Sequence, residues 1–261
     1  MRLPLFQLDA FATRRFTGNP AAVVVLEELL DDALMQAVAA ENNLAETAFL
    51  VVAADGHRLR WFTPVTEVAL CGHATLAAGA VVLERLEPGR SEVVFATASG
   101  PLTVRREGTA YAIDLPVRTV TPEPPSAALA AALGTTPVET ATDGGNHLAL
   151  LASADEVRAL RPDLAAVARL DRSGVVVTAA GDGPYDFVSR YFAPAKGIDE
   201  DPATGGAHCG LVPFWAARTG RTSFLAQQAS RRGAELACRL AGDRVVLGGG
   251  CVPYLEGVIE V

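Results

Sequence analysis

Short segments in which apolar and polar residues alternate run through most of the chain, and this pattern predicts many short strands. In the first half these segments are residues 2–9, 20–26, 44–52, 58–62, 67–70, 92–97, 101–106 and 110–115. In the second half they are residues 138–142, 146–151, 174–180, 186–192, 222–229, 234–240, 243–247 and 251–261. Helical periodicity is confined to residues 31–42, residues 126–133 and two pieces of 154–169. This mixture indicates an α+β protein.

Two more helices are predicted, over residues 73–86 and 202–218, and both are apolar on nearly every side. A helix without a polar face is stable only when it is buried all round, which a strongly curved sheet can achieve. Both helices begin with small residues, Cys-Gly-His-Ala-Thr ending at Thr75 and Ala-Thr-Gly-Gly-Ala starting at Ala203. The two halves therefore have similar patterns, and an internal duplication into two domains is one interpretation of them.

The boundary between these domains is predicted in the proline-bearing segment 116–125. We expect a first domain over residues 1–116 and a second over residues 117–250. The last strand, residues 251–261, has alternating apolar residues but no obvious partner late in the chain. It can therefore return to the first domain and complete it.

Composition excludes several classes of function. The chain has 261 residues, of which 50% are hydrophobic, so a sizeable core can form. Lys and Arg number 22 against 30 Asp and Glu, and this acidic balance speaks against binding to nucleic acid or to an anionic membrane. The one lysine, Lys196, would have to carry any pyridoxal-phosphate chemistry. The uncharged run between Glu67 and Glu84 is too short for a membrane helix.

Cysteine and histidine spacing gives no sign of a metal site. The four cysteines form no Cys-x-x-Cys pair, and the four histidines have no ligand spacing. A large apolar chain needs no disulfide, and its first residues are typical of a strand rather than a signal peptide, so we expect a cytoplasmic protein. Phosphate-loop, dinucleotide and nucleophile-elbow motifs are missing from the sequence.

The start of the second apolar helix is the strongest candidate for chemistry. Asp201 followed by proline is typical of a helix start, and a structural cap is the simpler interpretation. However, Gly205 and Gly206 lie in the predicted first turn, where each costs about 1 kcal/mol relative to alanine. Glycines there leave backbone N–H groups open to an anion, such as a substrate carboxylate or a developing enolate.

Two further candidates lie in the first half. Gly72 and His73 begin the other apolar helix, whose dipole would disfavour a charged imidazole, and a capping role is the alternative for His73. Cys71 lies beside the same helix start, a setting that can lower a thiol pKa. Glu46 is a lone carboxylate in an apolar stretch, where partial burial would raise its pKa and suit it to acid/base catalysis. A salt-bridged strand glutamate is the alternative for Glu46.

Several blocks of the sequence together resemble the phenazine-biosynthesis PhzF-like family of the diaminopimelate-epimerase-like superfamily. The opening block runs from Phe6-Gln-Leu-Asp-Ala-Phe to Phe16-Thr-Gly-Asn-Pro. The middle blocks are Asn43-Leu-Ala-Glu-Thr and Phe62-Thr-Pro-Val-Thr-Glu-Val-Ala-Leu-Cys-Gly-His-Ala-Thr. The second-half blocks are Asp186-Phe-Val-Ser-Arg-Tyr-Phe-Ala-Pro and Glu200-Asp-Pro-Ala-Thr-Gly. Their order and spacing match the family nearly from end to end.

The resemblance implies two similar epimerase-like domains, each a curved sheet or barrel around a central helix, with the active site in the cleft between them. It implies a proton-shifting isomerase of a small carboxylate-bearing molecule that needs no cofactor and commonly forms homodimers. By motif position, Glu46 corresponds to the catalytic acid/base, and His73 and Asp201 correspond to substrate-contacting residues. We expect these three side chains to lie within about 10 Å of one another, close enough to touch one small substrate. Amides of Gly72, Gly205 and Gly206 would bind its carboxylate.

The sequence departs from the family pattern at Gly206. The corresponding motif of the phenazine enzymes is Asp-Pro-Ala-Thr-Gly-Ser, so Gly206 stands in the place of its serine. The loss of the serine hydroxyl implies either a larger pocket or a different substrate, and it argues against phenazine-precursor chemistry. A two-thiol racemase is one alternative, but Pro202 stands where the second thiol would be. A binding or scaffold protein without turnover is the other alternative.

Overall fold

Strands outnumber helices in residues 1–53 and 56–261, the residues that the computed structural model describes. The elements up to residue 116 are β1 (Arg2–Ala10), β2 (Asn19–Leu26), α1 (Asp32–Asn42), β3 (Glu46–Ala53), β4 (Gly56–Phe62), β5 (Glu67–Val68), α2 (Gly72–Val81), a π-helical turn (Val82–Leu86), β6 (Glu92–Ala96), β7 (Leu102–Glu107) and β8 (Ala110–Pro116). The elements beyond it are β9 (Thr121–Glu123), α3 (Ala127–Leu133), β10 (Glu139–Thr142), β11 (Asn146–Leu150), α4 (Ala154–Ala159), α5 (Leu164–Val167), β12 (Gly174–Ala180), β13 (Phe187–Phe192), a 3-10 turn (Pro194–Lys196), α6 (Gly205–Thr219), β14 (Ser223–Gln228), β15 (Ala234–Ala241), β16 (Arg244–Gly249) and β17 (Cys251–Glu260).

The first compact unit comprises Met1–Leu115 and Val246–Val261. In it, β1 pairs antiparallel with both β2 and β17. The succession continues with β2 parallel to β3, β3 antiparallel to β4, and β4 parallel to β6. The strands β6, β7 and β8 then form an antiparallel meander. Each parallel pair needs a crossover, and these are supplied by α1 and α2.

The second compact unit, Pro116–Val245, repeats this succession. It has β10 antiparallel to β11, β11 parallel to β12, and β12 antiparallel to β13. Next, β13 is parallel to β14, and β14 is antiparallel to β15. The crossover helices are now α4 with α5 and then α6. Both halves thus share one topology, and the predicted α+β class with two similar epimerase-like domains is confirmed.

Helix α2 is enclosed by strands, as its apolar sequence predicts. Every residue of the helix except Gly72 is buried, and the helix packs on β1, β2, β3, β7 and β17. The contact with β7 is especially close, because a Cβ atom at Gly79 would lie 2.4 Å from Cγ1 of Val104. Only a glycine therefore permits this separation between helix and sheet.

Amphipathic helices cover other strand faces within each unit. Helix α1 contributes Met35 and Val38 to a core that includes Val24 and Phe49. In the second unit, α3, α4 and α5 bury a corresponding apolar cluster, formed by Leu129, Leu133, Val157, Leu160, Val167, Val175, Val177, Val188 and Phe192 among others. Among the described residues, none of the helices combines the length and apolar character that a bilayer-spanning helix requires.

The close contact at Gly79 leads to a prediction about stability. Gly79→Ala should lower the free energy of unfolding by about 1–3 kcal/mol, because a methyl group forced against Val104 overpacks the core. Gly89→Ala is the matched control, since a Cβ there meets nothing within 4 Å. Urea unfolding of both variants measures the difference. A Gly79→Ala protein as stable as the control would contradict this account of the helix contact.

Candidate active site

The first turn of α2 brings a histidine and a thiol together in the first unit. Cys71 precedes the helix in an extended conformation, and Gly72 begins the helix, as predicted. Because His73 is the second helical residue, its imidazole is held at the buried start of α2. The Sγ atom of Cys71 lies 3.5 Å from Nδ1 of His73.

Glu46 reaches the same histidine from the first residue of β3. Its Oε2 atom lies 3.2 Å from Nε2 of His73, and the two side chains are only 13% and 5% exposed. Strand β3 runs parallel to β2, in register with Glu46 beside Ala21, and this places the start of β3 beside the start of α2. The structure therefore brings Glu46, Cys71 and His73 into one buried cluster.

The ionisation of this cluster follows from the competition between burial and charge. Burial alone would raise the pKa of Glu46, but the positive charge of His73 and hydrogen bonds from His73 and Cys71 outweigh it and lower that pKa. Burial likewise disfavours the imidazolium, but negative charge on Cys71 and Glu46 raises the pKa of His73 well above its usual value. At neutral pH the negative partner is the carboxylate, because burial and Glu46 raise the thiol pKa of Cys71 to about 11.

These directions correct three expectations drawn from the sequence. The pKa of Glu46 is lowered rather than raised, and the pKa of His73 is raised although it starts a helix. The pKa of Cys71 is raised, so its position at the helix start does not activate the thiol. For Glu46 and His73 the physical reason is a neighbouring charge, which outweighs burial and the helix dipole. For Cys71 the reason is chiefly burial, to which the charge of Glu46 adds.

Asn19 is a contact that the sequence analysis missed. Its side-chain amide nitrogen lies 3.2 Å from Nδ1 of His73, and it donates there when that ring nitrogen carries no proton. An amide can present its oxygen instead when Nδ1 carries a proton, so asparagine suits either state of the ring. Asn19 is completely buried, and only the fold reveals its proximity to His73.

The same three groups are the candidate ligands for a metal ion. One ligand atom from each of Glu46, Cys71 and His73 lies within 4.8 Å of the others. The thiol contacts Nδ1, however, while the carboxylate contacts Nε2 on the other side of the ring. One ion cannot replace both contacts without moving a side chain, so the arrangement favours a thiol–imidazole–carboxylate chain over metal coordination.

Asp201 lies in the second unit, where it organises the loop before α6. It is 8% exposed, and its carboxylate accepts a hydrogen bond from the hydroxyl of Thr204. Gln228 donates to the backbone carbonyl of Asp201 at 2.7 Å and accepts from the backbone N–H of Thr204 at 2.8 Å. Ser230 donates to the carbonyl of Pro202 at 2.9 Å.

This network corrects the predicted start of the helix. Helix α6 begins at Gly205 with Thr204 as its N-cap, three residues later than the predicted start at Pro202. Gln228 on β14 holds Thr204 in an extended conformation, and Asp201 is therefore not the capping residue. Gly205 and Gly206 still form the first turn, as predicted. The predicted approach of Asp201, in the second unit, to Glu46, in the first, stays a prediction.

Comparisons with known proteins agree with this architecture, whose topology is that of the epimerase-like folds. Residues 8–257 match the PhzC-PhzF family, described as phenazine biosynthesis-like protein. An uncharacterised isomerase of Pseudomonas aeruginosa is 49% identical, with 100% of both chains covered. A mouse phenazine biosynthesis-like domain-containing protein is 38% identical, with 99% of both chains covered.

A PhzF-family crystal structure from Enterococcus faecalis is 41% identical to this chain, with a TM-score of 0.96 over 100% of both chains. The fold and these relatives define an isomerase-type enzyme. The chain belongs to the PhzC-PhzF family of phenazine biosynthesis-like proteins, and the resemblance seen in its sequence is confirmed.

The ion pair leads to a prediction about pH. The pKa of His73 should lie well above 6.5, and Glu46→Gln should lower it, because burial would then act with less opposition. NMR titration of the imidazole nitrogens measures both values. Glu87→Gln, which breaks the His57–Glu87 pair in the same unit, is the matched control and should leave His73 unchanged.

The stabilisation by the pair has a defined pH window. A raised histidine pKa stabilises the fold fully below its usual value of 6.5, and this contribution is lost as pH rises through the raised value. The lowered pKa of Glu46 stabilises the fold above its usual value of 4.5 and is lost as pH falls. A His73 pKa that is the same in wild type and Glu46→Gln would contradict the ion pair.

Proposed function

We propose that this isomerase-type enzyme shifts a proton within a small carboxylate-bearing molecule, without a cofactor, and that Glu46 is its acid/base. The observation that carries the proposal is the nearly buried Glu46 carboxylate held 3.2 Å from the imidazole of His73. A carboxylate placed in this way is poised for proton transfer, whereas a purely structural ion pair gains little from such burial.

Glu46 would act first as a base. Its lowered pKa keeps the carboxylate ionised at neutral pH and ready to accept a proton. The proton of an activated C–H bond would pass to Glu46, and the electron pair of that bond would enter the conjugated system of the substrate as an enolate-type anion. The protonated Glu46 would then return the proton to another carbon, so that an isomer forms with no atom gained or lost.

His73 would support the anionic intermediate. Its raised pKa favours an imidazolium, whose positive charge stabilises both the Glu46 carboxylate and a nearby enolate. Once Glu46 takes up the proton, its carboxyl group is neutral and no longer pairs with the imidazolium of His73. The imidazolium would then pair with the anionic intermediate. Asn19 contacts the far nitrogen of the ring and would hold its orientation during this exchange of charges.

Backbone amides would bind the substrate carboxylate. Gly72 in the first turn of α2 and Gly205 and Gly206 in the first turn of α6 are the proposed contributors. Asp201 is proposed to orient a polar substrate group, since its neighbours already hold its backbone in place. The expected cytoplasmic location and homodimeric state belong to this proposal as well.

A paired-thiol mechanism receives less support from the cysteines. The pKa of Cys71 is raised to about 11 and that of Cys209 to about 12, in both cases chiefly by burial. Neither thiol would be ionised at neutral pH, although a two-thiol enzyme needs one thiolate base. Cys209 is moreover in the second turn of α6 and completely enclosed by its neighbours.

The proposal predicts opposite effects of two substitutions. Glu46→Gln should lower turnover by about 10²–10⁴-fold, the usual range for a general acid/base, whereas Cys71→Ala should keep substantial turnover. Deuterium uptake from D₂O into a panel of small carboxylic acids, followed by NMR, identifies a substrate and measures both variants.

Glu87→Gln is again the control, because it removes a carboxylate from another histidine pair in the same unit. If Cys71→Ala abolished exchange and Glu46→Gln kept it, the thiol would be the proton carrier. A protein that binds acids with the same affinity in wild type and Glu46→Gln, and exchanges none of them, would be a binding protein instead.

A further inference from the structure

An arginine lies over the glycine that distinguishes this chain from the phenazine enzymes. A Cβ atom at Gly206 would lie 3.5 Å from Nη2 and 3.7 Å from Cζ of Arg118. These are ordinary contact distances, so the guanidinium fills the space beside Gly206 without crowding it. The positive charge of Arg118 therefore lies next to the position at which the motif of the phenazine enzymes has a serine.

The backbone of Arg118 is attached to α6 through an unusual hydrogen bond. Pro213 lies inside this helix and has no N–H, so it cannot donate to the carbonyl of Cys209 four residues earlier. The backbone N–H of Arg118 donates to that carbonyl instead, at 3.0 Å. The proline thus creates an acceptor in mid-helix, and this acceptor anchors Arg118 one turn from Gly206.

The side chain of Arg118 is oriented by a buried carboxylate. Its Nη1 atom lies 3.3 Å from Oδ2 of Asp143, whose side chain is only 6% exposed. Asp143 also accepts hydrogen bonds from the backbone N–H groups of Gly145 and Asn146 and from the amide of Asn146. The carboxylate of Asp143 therefore already accepts several hydrogen bonds, and its contact with Nη1 fixes the orientation of the Arg118 guanidinium. The arginine side chain remains 43% exposed, so its other donors are accessible.

We infer that Arg118 binds the anionic group of the substrate and replaces the side chain missing at Gly206. The inference rests on the proposed function, because Gly206 is a proposed substrate-binding residue. A guanidinium is a planar fork of donors that matches a carboxylate in two parallel hydrogen bonds. With this fork beside Gly206 and no side-chain hydroxyl at that position, the site would select acids by their charge.

The test compares benzoate with benzamide, which differ in charge but little in shape. Calorimetry or saturation-transfer NMR gives the affinity of both probes for wild type, Arg118→Gln and Arg118→Lys. Wild type should prefer benzoate by about tenfold or more, the ratio expected from a charged hydrogen bond. Arg118→Gln should lower that ratio severalfold, and Arg118→Lys should give an intermediate ratio, since a lysine keeps the charge without the fork.

Arg158→Gln is the matched control, because it also removes an arginine from an ion pair in the second unit, with Asp182 at 2.6 Å. It should keep the wild-type ratio. A wild type without preference for benzoate, or an Arg118→Gln variant that keeps the preference, overturns the inference. Arg118→Lys keeps the test valid if Arg118→Gln unfolds, because equal ratios for wild type and lysine would also contradict a bidentate contact.

The inference and the proposed function fail separately. If no acid exchanges deuterium but the preference for benzoate depends on Arg118, the isomerase mechanism fails and the anion contact stands. If exchange depends on Glu46 while Arg118→Gln keeps the preference for benzoate, only the role of Arg118 fails.

Discussion

A helix that is apolar on every side must be enclosed, and this constraint determines where each unit can carry out chemistry. In α2, every residue after Gly72 is buried against strands, so the flanks of the helix offer no access to a ligand. The polar groups that could meet a ligand gather where the helix begins. The first turn of α2 is accordingly where Cys71 and His73 lie and where the first residue of β3, Glu46, arrives. In α6 the first turn likewise contains Gly205 and Gly206, and the side chain of Arg118 lies beside it.

Much of the fold can be predicted from the sequence because its signals are local. Alternation over short segments indicated nearly every strand, and the apolar sequences indicated two enclosed helices. The three residues of β9 were missed, since so short a segment has no detectable period. The start of α6 was placed too early, because Asp201 and Pro202 have the local pattern of a helix start while Gln228, a residue of β14, holds the chain extended.

The residues of the candidate site could be predicted from the sequence, but the directions of their pKa shifts could not. Family resemblance singled out Glu46 and His73, which are indeed neighbours. Their pKa shifts were expected from burial or from a helix dipole, one residue at a time, and the directions were wrong. Each shift depends on a charge from a distant part of the chain, and no sequence spacing reveals that charge. Asn19 and Arg118 were missed for the same reason, since only tertiary structure places them beside a site residue.

The pairing of β1 with β17 makes the order of synthesis important. The second unit is one continuous stretch, Pro116–Val245, so all of its strands are available before the ribosome reaches β17. The first unit, by contrast, begins with β1 and receives the partner of that strand only when residues 251–260 have been made. During translation one edge of β1 is therefore unpaired, and an unpaired edge is a template for pairing with other chains. The nascent protein must keep this edge covered, or delay the folding of its first half, until β17 has been made.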